Sequence, residues 1–293
     1  MGNGREEYLG ISEIALDEDN GEIFINDRYS RRIMVYDLYG AFNRSFWCEG
    51  SAIYTNLNNF DKENLICYDA SHVEGMKESS FFIISKKDGS IVKDIQFSFN
   101  KKNIPGLGVQ GGRVYISATA PIILPNNDSW ILTEHSVDTV FRLLPDYSIV
   151  PFMIRTPSIQ TSIDAQISLF LETITERYLF MTTTMYNYDP VSRVVGGRRT
   201  IAHLAYDKQE NRIYEYTVYN NDFSTKTPFV MTYTFPFALY NTVINNEIAF
   251  WQRLDAYNLI EAHEKGQLNG KLKEIAAKLE KGSNPVIMLL KHK

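Results

Sequence analysis

Cysteine is scarce in this chain: of 293 residues only Cys48 and Cys67 carry a thiol. Two cysteines make no disulfide framework, and a chance pair rarely meets the close Cα approach that a bridge requires. There is no CxxC pair and no His/Cys cluster at zinc spacing, so no metal and no cofactor are expected. No run of about 18 apolar residues occurs, which leaves no candidate transmembrane helix. One-signed charge is lacking too. The net charge is −5 with both signs interspersed, giving no basic face for nucleic acid and no polybasic patch for a membrane. Met1 is followed by glycine and charged residues rather than an apolar stretch, so no signal peptide is read, and the sequence suits either a cytosolic chain or a trimmed, mature one. No G-x-x-x-x-G-K-[ST] loop, G-x-S-x-G elbow or EF-hand loop is present; the pairs Gly111-Gly112 and Gly196-Gly197 open no helix and form no phosphate loop.

What the chain has is β-forming residues. Aromatics make up 13%, with 18 Tyr and 17 Phe, and hydrophobics 44%. Such residues fit a pleated, half-buried surface. The opening shows the rhythm: "ISEIAL", a turn through "DEDNG", "EIFIND", a connector "RYSR", "RIMVYD", a turn through "LYG", then "AFNRSF". That is an up-and-down meander of four strands, the size of one propeller blade. The pattern recurs with insertions, its third strands centred near Val35, Ile83, Phe141, Leu204 and Met288. The fold class predicted is all-β: a β-propeller of four-stranded antiparallel blades in a single domain. Five blades are recognisable, at about 10–47, 52–99, 112–155, 165–220 and 236–293, with a helical insertion at about 255–282 in the last.

Turns between first and second strands, and between third and fourth, are tight. The longer excursions are "SHVEGMKES", "NKKNIPGLGVQGG", "NYDPVSRVVGG", "NNDFSTKTPFVMTYTFP" and Asp255 to Asn284. In an antiparallel meander these share one face, and long loops on a rigid scaffold are where binding is built. Within the insertion Leu272, Ile275, Ala276 and Leu279 make an apolar stripe at helical spacing, with Gly282 as a C-cap and Pro285 as a stop.

The connector and blade "GNGREEYLGISEIALDEDNGEIFIND", the strand "DTVFRL" and the ending "LKEIAAKLEKGSNPVIMLLKHK" resemble the six-bladed β-propeller proteins of gut Bacteroidetes, related in architecture to NHL-repeat propellers. The resemblance spans the chain. It implies a lipoprotein-type family with an extracytoplasmic, periplasmic or cell-surface location, and supplies no activity. In that family a glycine-rich connector like "GNGREEY" follows a complete blade, so the resemblance implies that a first blade is missing here and that the last lacks its outermost strand. The expected consequence is exposed apolar flanks around Ile14, Phe24 and Ile25, and around Phe250, Val286 and Met288, which would promote self-association.

Candidate ligand-binding residues are Arg28, Tyr29 and Arg31 on the first long-face connector, His72 and His135 on later ones, and Tyr186, Tyr188 and Arg198 around the fourth. Arginine forks bind carboxylate or phosphate groups and tyrosines stack on sugar rings, a combination suited to an anionic glycan or a peptide. Asp27, Asp69, Asp138 and Asp189 recur near the same connectors. They are read as turn caps rather than as a calcium ring. No catalytic residue is assigned. The expectation is a non-enzymatic binding or scaffold propeller contacting a small molecule, glycan or protein through its long-loop face. The alternatives are a propeller hydrolase or lyase with a metal at the central mouth, and a truncated gene product without independent function.

Overall fold

A computed structural model of the chain describes residues 4, 6–50, 52–71, 77–100, 107–110, 113–116, 123–159, 167–189, 194–225, 228–229 and 248–291. The chain divides into two compact units, residues 1–105 with 121–166, and residues 106–120 with 167–293.

The first unit holds three four-stranded antiparallel sheets. They are β1 (Glu13–Asp17), β2 (Glu22–Asp27), β3 (Arg32–Asp37) and β4 (Phe42–Trp47); then β5 (Tyr54–Asn59), β6 (Asn64–Asp69), β7 (Glu78–Ser85) and β8 (Ile91–Ser98). Two strands of the second unit, β9 (Leu107–Gln110) and β10 (Arg113–Ile116), intervene before β11 (Ile123–Asn126), β12 (Ser129–Leu132), β13 (Thr139–Leu143) and β14 (Ile149–Ile154). In each sheet the strands pair in sequence order. β6 shows why the sheets stack. Its run Leu65, Ile66, Cys67 and Tyr68 is buried on both faces, which is why it reads as continuous rather than alternating hydrophobicity. Leu65 and Cys67 join Phe24, Ile33 and Val35 of the first sheet, while Ile66 and Tyr68 join Ile123, Leu132 and Leu143 of the third.

The turn chemistry follows from short polar side chains. Each turn from third to fourth strand carries an aspartate accepting a nearby backbone N–H: Asp37 from Tyr39 and Ala41, Asp88 from Ser90, Asp146 from Ser148. Gly89, at φ 78°, lets the second sheet's turn close on the first, since a Cβ there would lie 2.3 Å from a ring carbon of Phe46. Beside it the buried Lys86 ammonium pairs with Asp17 of the first sheet and donates to the Asp61 carbonyl at 2.6 Å.

The second unit contains β9 paired with β10, and the sheet β15 (Ile167–Ile174), β16 (Tyr178–Asp189), β17 (Val194–Asp207) and β18 (Arg212–Glu215). It also has the pair β19 (Val218–Tyr219) and β20 (Pro228–Phe229), and the pair β21 (Ile248–Leu254) and β22 (Val286–Lys291). Between the last two lie α1 (Ala256–Glu264) and α2 (Gly270–Ala276). Leu259, Ala262, Leu268, Leu272 and Ala276 are buried together against Phe223, Leu254, Leu279 and Val286. The expected stripe is therefore spent within the insertion and on its flanking strands.

Several boundaries differ from expectation. The segment 113–124 is not one strand: β10 pairs back on β9, and the third sheet begins only at Ile123. The excursion 187–197 is largely paired strand, because β16 and β17 keep their ladder to Asp189 and Val194. Helix α2 ends at Ala276 with Ala277 as its C-cap, so Gly282 caps nothing. The flank prediction fails for Phe24, which is fully buried against the second sheet; Ile14 and Leu16 are the exposed pair. Val286 packs on the helices and Met288 beside Phe180 and Tyr216, leaving Ile287 and Leu289 outward. The Phe250 side chain, and the expected first strand of the last blade near 237–244, lie outside the described residues. Both cysteines are free and buried, and burial pushes the Cys48 thiol up to about 11.

Candidate functional site

The long-connector end of the first unit is built by one repeated device. Where a second strand ends, an acidic side chain turns back to hold the approach to a first strand. Asp27 accepts the Leu9 N–H at 2.8 Å and the Ser30 N–H at 3.3 Å. Asp69 accepts the Ile53 N–H at 3.0 Å and the Ser71 N–H at 2.9 Å. Asp138, at the start of the third strand, accepts the Ile159 N–H at 2.6 Å. Burial pushes the Asp27 carboxyl up, but the N–H groups of Leu9 and Ser30 outweigh it and hold the group below the ordinary range. These aspartates act as caps, as the sequence suggested. The Asp189 side chain lies outside the described residues. Among the described residues no group of three or more His, Cys, Asp or Glu side chains is placed to hold a metal.

Sequence patterns gave no hint of Glu134. It is buried in the connector after β12, accepting the Tyr68 hydroxyl at 2.9 Å and the Ser136 N–H at 2.9 Å, so it ties the third sheet to the second. Its one sequence signal is position: like Asp27 and Asp69, it is an acid closing a second strand.

With these acids engaged, the outward groups of the connector between β2 and β3 are basic and aromatic, while Glu49 after β4 and Glu78 at the start of β7 are exposed carboxylates at the same end. Arg28, Tyr29 and Arg31 project from the connector between β2 and β3, and Tyr29 is 78% exposed. The Tyr29 ring lies over Gly10, where a Cβ would meet it at 2.9 Å, so glycine there lets the ring lie flat on the backbone. Arg31 sits at φ 53° and donates to the Gly50 carbonyl at 3.5 Å. Neighbouring Arg32 is not part of this group: it is buried, reaching the Glu7 carbonyl at 2.5 Å. On the third sheet His135 and Arg155 are half-buried. Burial lowers the Arg155 guanidinium against the opposing field of Asp138.

Of the expected site residues, the structure brings Arg28, Tyr29 and Arg31 together on one connector and puts His135 at the same end of the third sheet. His72 lies outside the described residues. Tyr186, Tyr188 and Arg198 belong to the second unit and are not on a loop: Tyr186 opposes Arg198, and Tyr188 opposes Val195, in the β16–β17 ladder. Val, Thr and Tyr along both segments favour the strand, and 190–193 lie outside the described residues. The side chains of these three residues are outside what is described.

Four-stranded meanders stacked face to face, with capped strand ends at one rim, define a β-propeller. The chain belongs to the 6-bladed beta-propeller family DUF5128, whose model matches residues 1–241. A Bacteroides fragilis protein inferred to be exported is similar in structure, with 16% sequence identity, a TM-score of 0.61, and coverage of 100% of this chain and 80% of its own. Virginiamycin B lyase from Staphylococcus aureus is more distant, at 14% identity and a TM-score of 0.34, over 69% of this chain and 68% of the lyase. These likenesses concern the fold alone. No curated protein matches the chain.

Proposed function

We propose that this protein is a binding propeller whose long-connector rim takes an anionic ligand, an acidic glycan, through Arg28, Tyr29 and Arg31. One observation carries the reading: the rim's aspartates and Glu134 spend their oxygens on backbone N–H groups and on Tyr68, while the arginines and Tyr29 stand outward. Guanidinium forks hold carboxylate or sulfate in pairs of charge-assisted hydrogen bonds, and a flat exposed tyrosine offers a stacking surface for a sugar ring. Both units are read as parts of one propeller domain spanning 1–293, located outside the cytoplasm as the Bacteroidetes resemblance implies. Self-association through the exposed apolar face of β1 belongs to the same reading.

Dextran sulfate is the probe, titrated calorimetrically at low salt. Replacing both Arg28 and Arg31 by Ala is expected to weaken binding at least about tenfold, one charge-assisted contact being worth about 1.5–3 kcal/mol. Tyr29→Ala is expected to weaken it less, and added salt to weaken all forms. Equal affinity in the double variant, or no binding by the parent protein, overturns the proposal.

A further inference from the structure

Glu13 opens β1 and is half-buried, yet its carboxyl serves the neighbouring sheet rather than its own strand. One oxygen, Oε1, accepts the Asn56 N–H at 2.8 Å, and Oε2 accepts the Leu57 N–H at 3.1 Å. The two N–H groups converge because Asn56 sits at φ 55°, in the left-handed region, where β5 loses register with β6 between Thr55 and Asn58. Successive N–H groups in such a bulge form a concave seat for an anion, which a regular ladder does not offer. From β2 the Asn26 amide donates to Oε2 at 3.4 Å and, more strongly, to the Tyr54 carbonyl at 2.7 Å. The side-chain amide oxygen of Asn26, Oδ1, is buried with no hydrogen-bond partner, so this junction is held at a cost. The charged group facing Glu13 is Arg28, just beyond β2, and the titratable neighbour from β6 is the Cys67 thiol.

We propose that Glu13 is a latch between the first two sheets whose protonation sets the strength with which Arg28 holds an anion at the rim; this rests on the anion-binding reading above. Ionised, the carboxylate offsets the guanidinium charge. Protonated, it no longer does, while its free oxygen still accepts one of the two N–H groups. Anion affinity therefore rises as pH falls. Burial supports the same picture, raising Glu13 above its ordinary 4.5 despite the donors around it and the Arg28 charge. Because the folded value is the higher one, the unfolded chain ionises first as pH rises. The stability Glu13 contributes is full below about 4.5, declines up to its raised folded value and is gone above it.

The test is run in a His72→Gln, His135→Gln background, so that neither connector histidine titrates, with dextran sulfate, whose sulfates stay ionised throughout. From pH 8 to pH 4.5 the background protein is expected to gain about threefold in affinity, the scale of one unit charge acting through water at a few ångströms. Glu13→Gln should bind with the low-pH affinity at both values, and Arg28→Gln should bind weakly with no such gain. Without probe, Glu13→Gln should match the background in thermal midpoint at pH 4.5 and exceed it at pH 8. A gain with falling pH that Glu13→Gln preserves overturns the coupling, and an unchanged midpoint at pH 8 overturns the latch. Absence of binding by the background protein at every pH sinks the anion reading instead, and the thermal comparison still decides the latch.

Discussion

The second sheet of the first unit and the sheet β15–β18 of the second are both up-and-down meanders of four strands, but they bury different chemistry. β6 buries Leu65, Ile66, Cys67 and Tyr68, and β7 buries Phe81 to Ile84. β15 buries Ser168, Glu172, Thr173 and the adjoining Thr175, and β16 buries Thr182 and Thr184. Across the latter sheet Phe170, Thr182 and His203 form one row, with the Thr182 hydroxyl 3.3 Å from His203 Nδ1. Glu172 is the extra residue of a bulge between Leu171 and Thr173. Burial pushes the Tyr216 phenol well up, with the Glu172 charge adding to it. The hydroxyl oxygens of Thr173, Thr184 and Tyr216 are buried without partners. The same topology is thus held together apolarly in one place and carries a standing cost of about 1–3 kcal/mol per orphaned hydroxyl in the other. The topology tolerates buried polar groups beside apolar ones, since β15 and β16 also bury Phe170, Leu171, Ile174, Leu179 and Met181. A conflict between burial and polarity of this kind concentrates where an arrangement matters more than stability.

The comparison breaks most readily at Phe24. It is fully buried between the first and second sheets, and its guanidinium neighbour Arg44 is tied to Glu22 and to the Lys86 carbonyl, so the site collapses poorly around a hole. Phe24→Ala is expected to cost about 3–5 kcal/mol in denaturant unfolding. A loss under 1 kcal/mol would mean that the apolar rows are not where the first unit's stability lies.

A reciprocal pair of near-isosteric swaps sharpens it. Val35→Thr places a hydroxyl among Phe24, Ile33 and Leu65 with nothing to accept it, and is expected to cost about 1–3 kcal/mol. Thr184→Val removes a hydroxyl that already lacks a partner and is expected to stabilise by about 1 kcal/mol. Opposite signs in equilibrium unfolding uphold the distinction between the first unit's apolar packing and the sheet β15–β18, and equal signs remove it.

How far the sequence could be read follows the range of the interactions. The meander, its tight turns and the capping aspartates depend on neighbours a few residues apart, so "DEDNG", "KKDG" and "PDY" announced them. The buried pairs Lys86–Asp17 and Tyr68–Glu134 join different sheets, and no local pattern encodes them. The ladder of β16 and β17 was hidden by Pro190 and the Gly196-Gly197 pair, which signal a loop, although pairing continues through the glycines. The position of Arg28, Tyr29 and Arg31 on the connector between β2 and β3 was legible because it follows from strand order alone. Glu13 was not, because its role comes from a bulge in another strand.

The smallest effect tests the two faces of β1 itself. Ala15 and Asp17 are buried toward the second sheet, whereas Ile14 and Leu16 are 55% and 47% exposed. Burial stabilises in proportion to apolar area removed from water, so these outward side chains contribute little to folding. Replacing both by Thr is expected to change unfolding free energy by less than about 0.5 kcal/mol at each site. Leu9 and Ile11, just before β1, are exposed as well, and exposed apolar surface drives association. Sedimentation equilibrium should therefore show weaker self-association in the double variant at unchanged stability. A stability loss above 1 kcal/mol with unaltered sedimentation would instead show that this face is covered within the chain, and that both sides of β1 are interior.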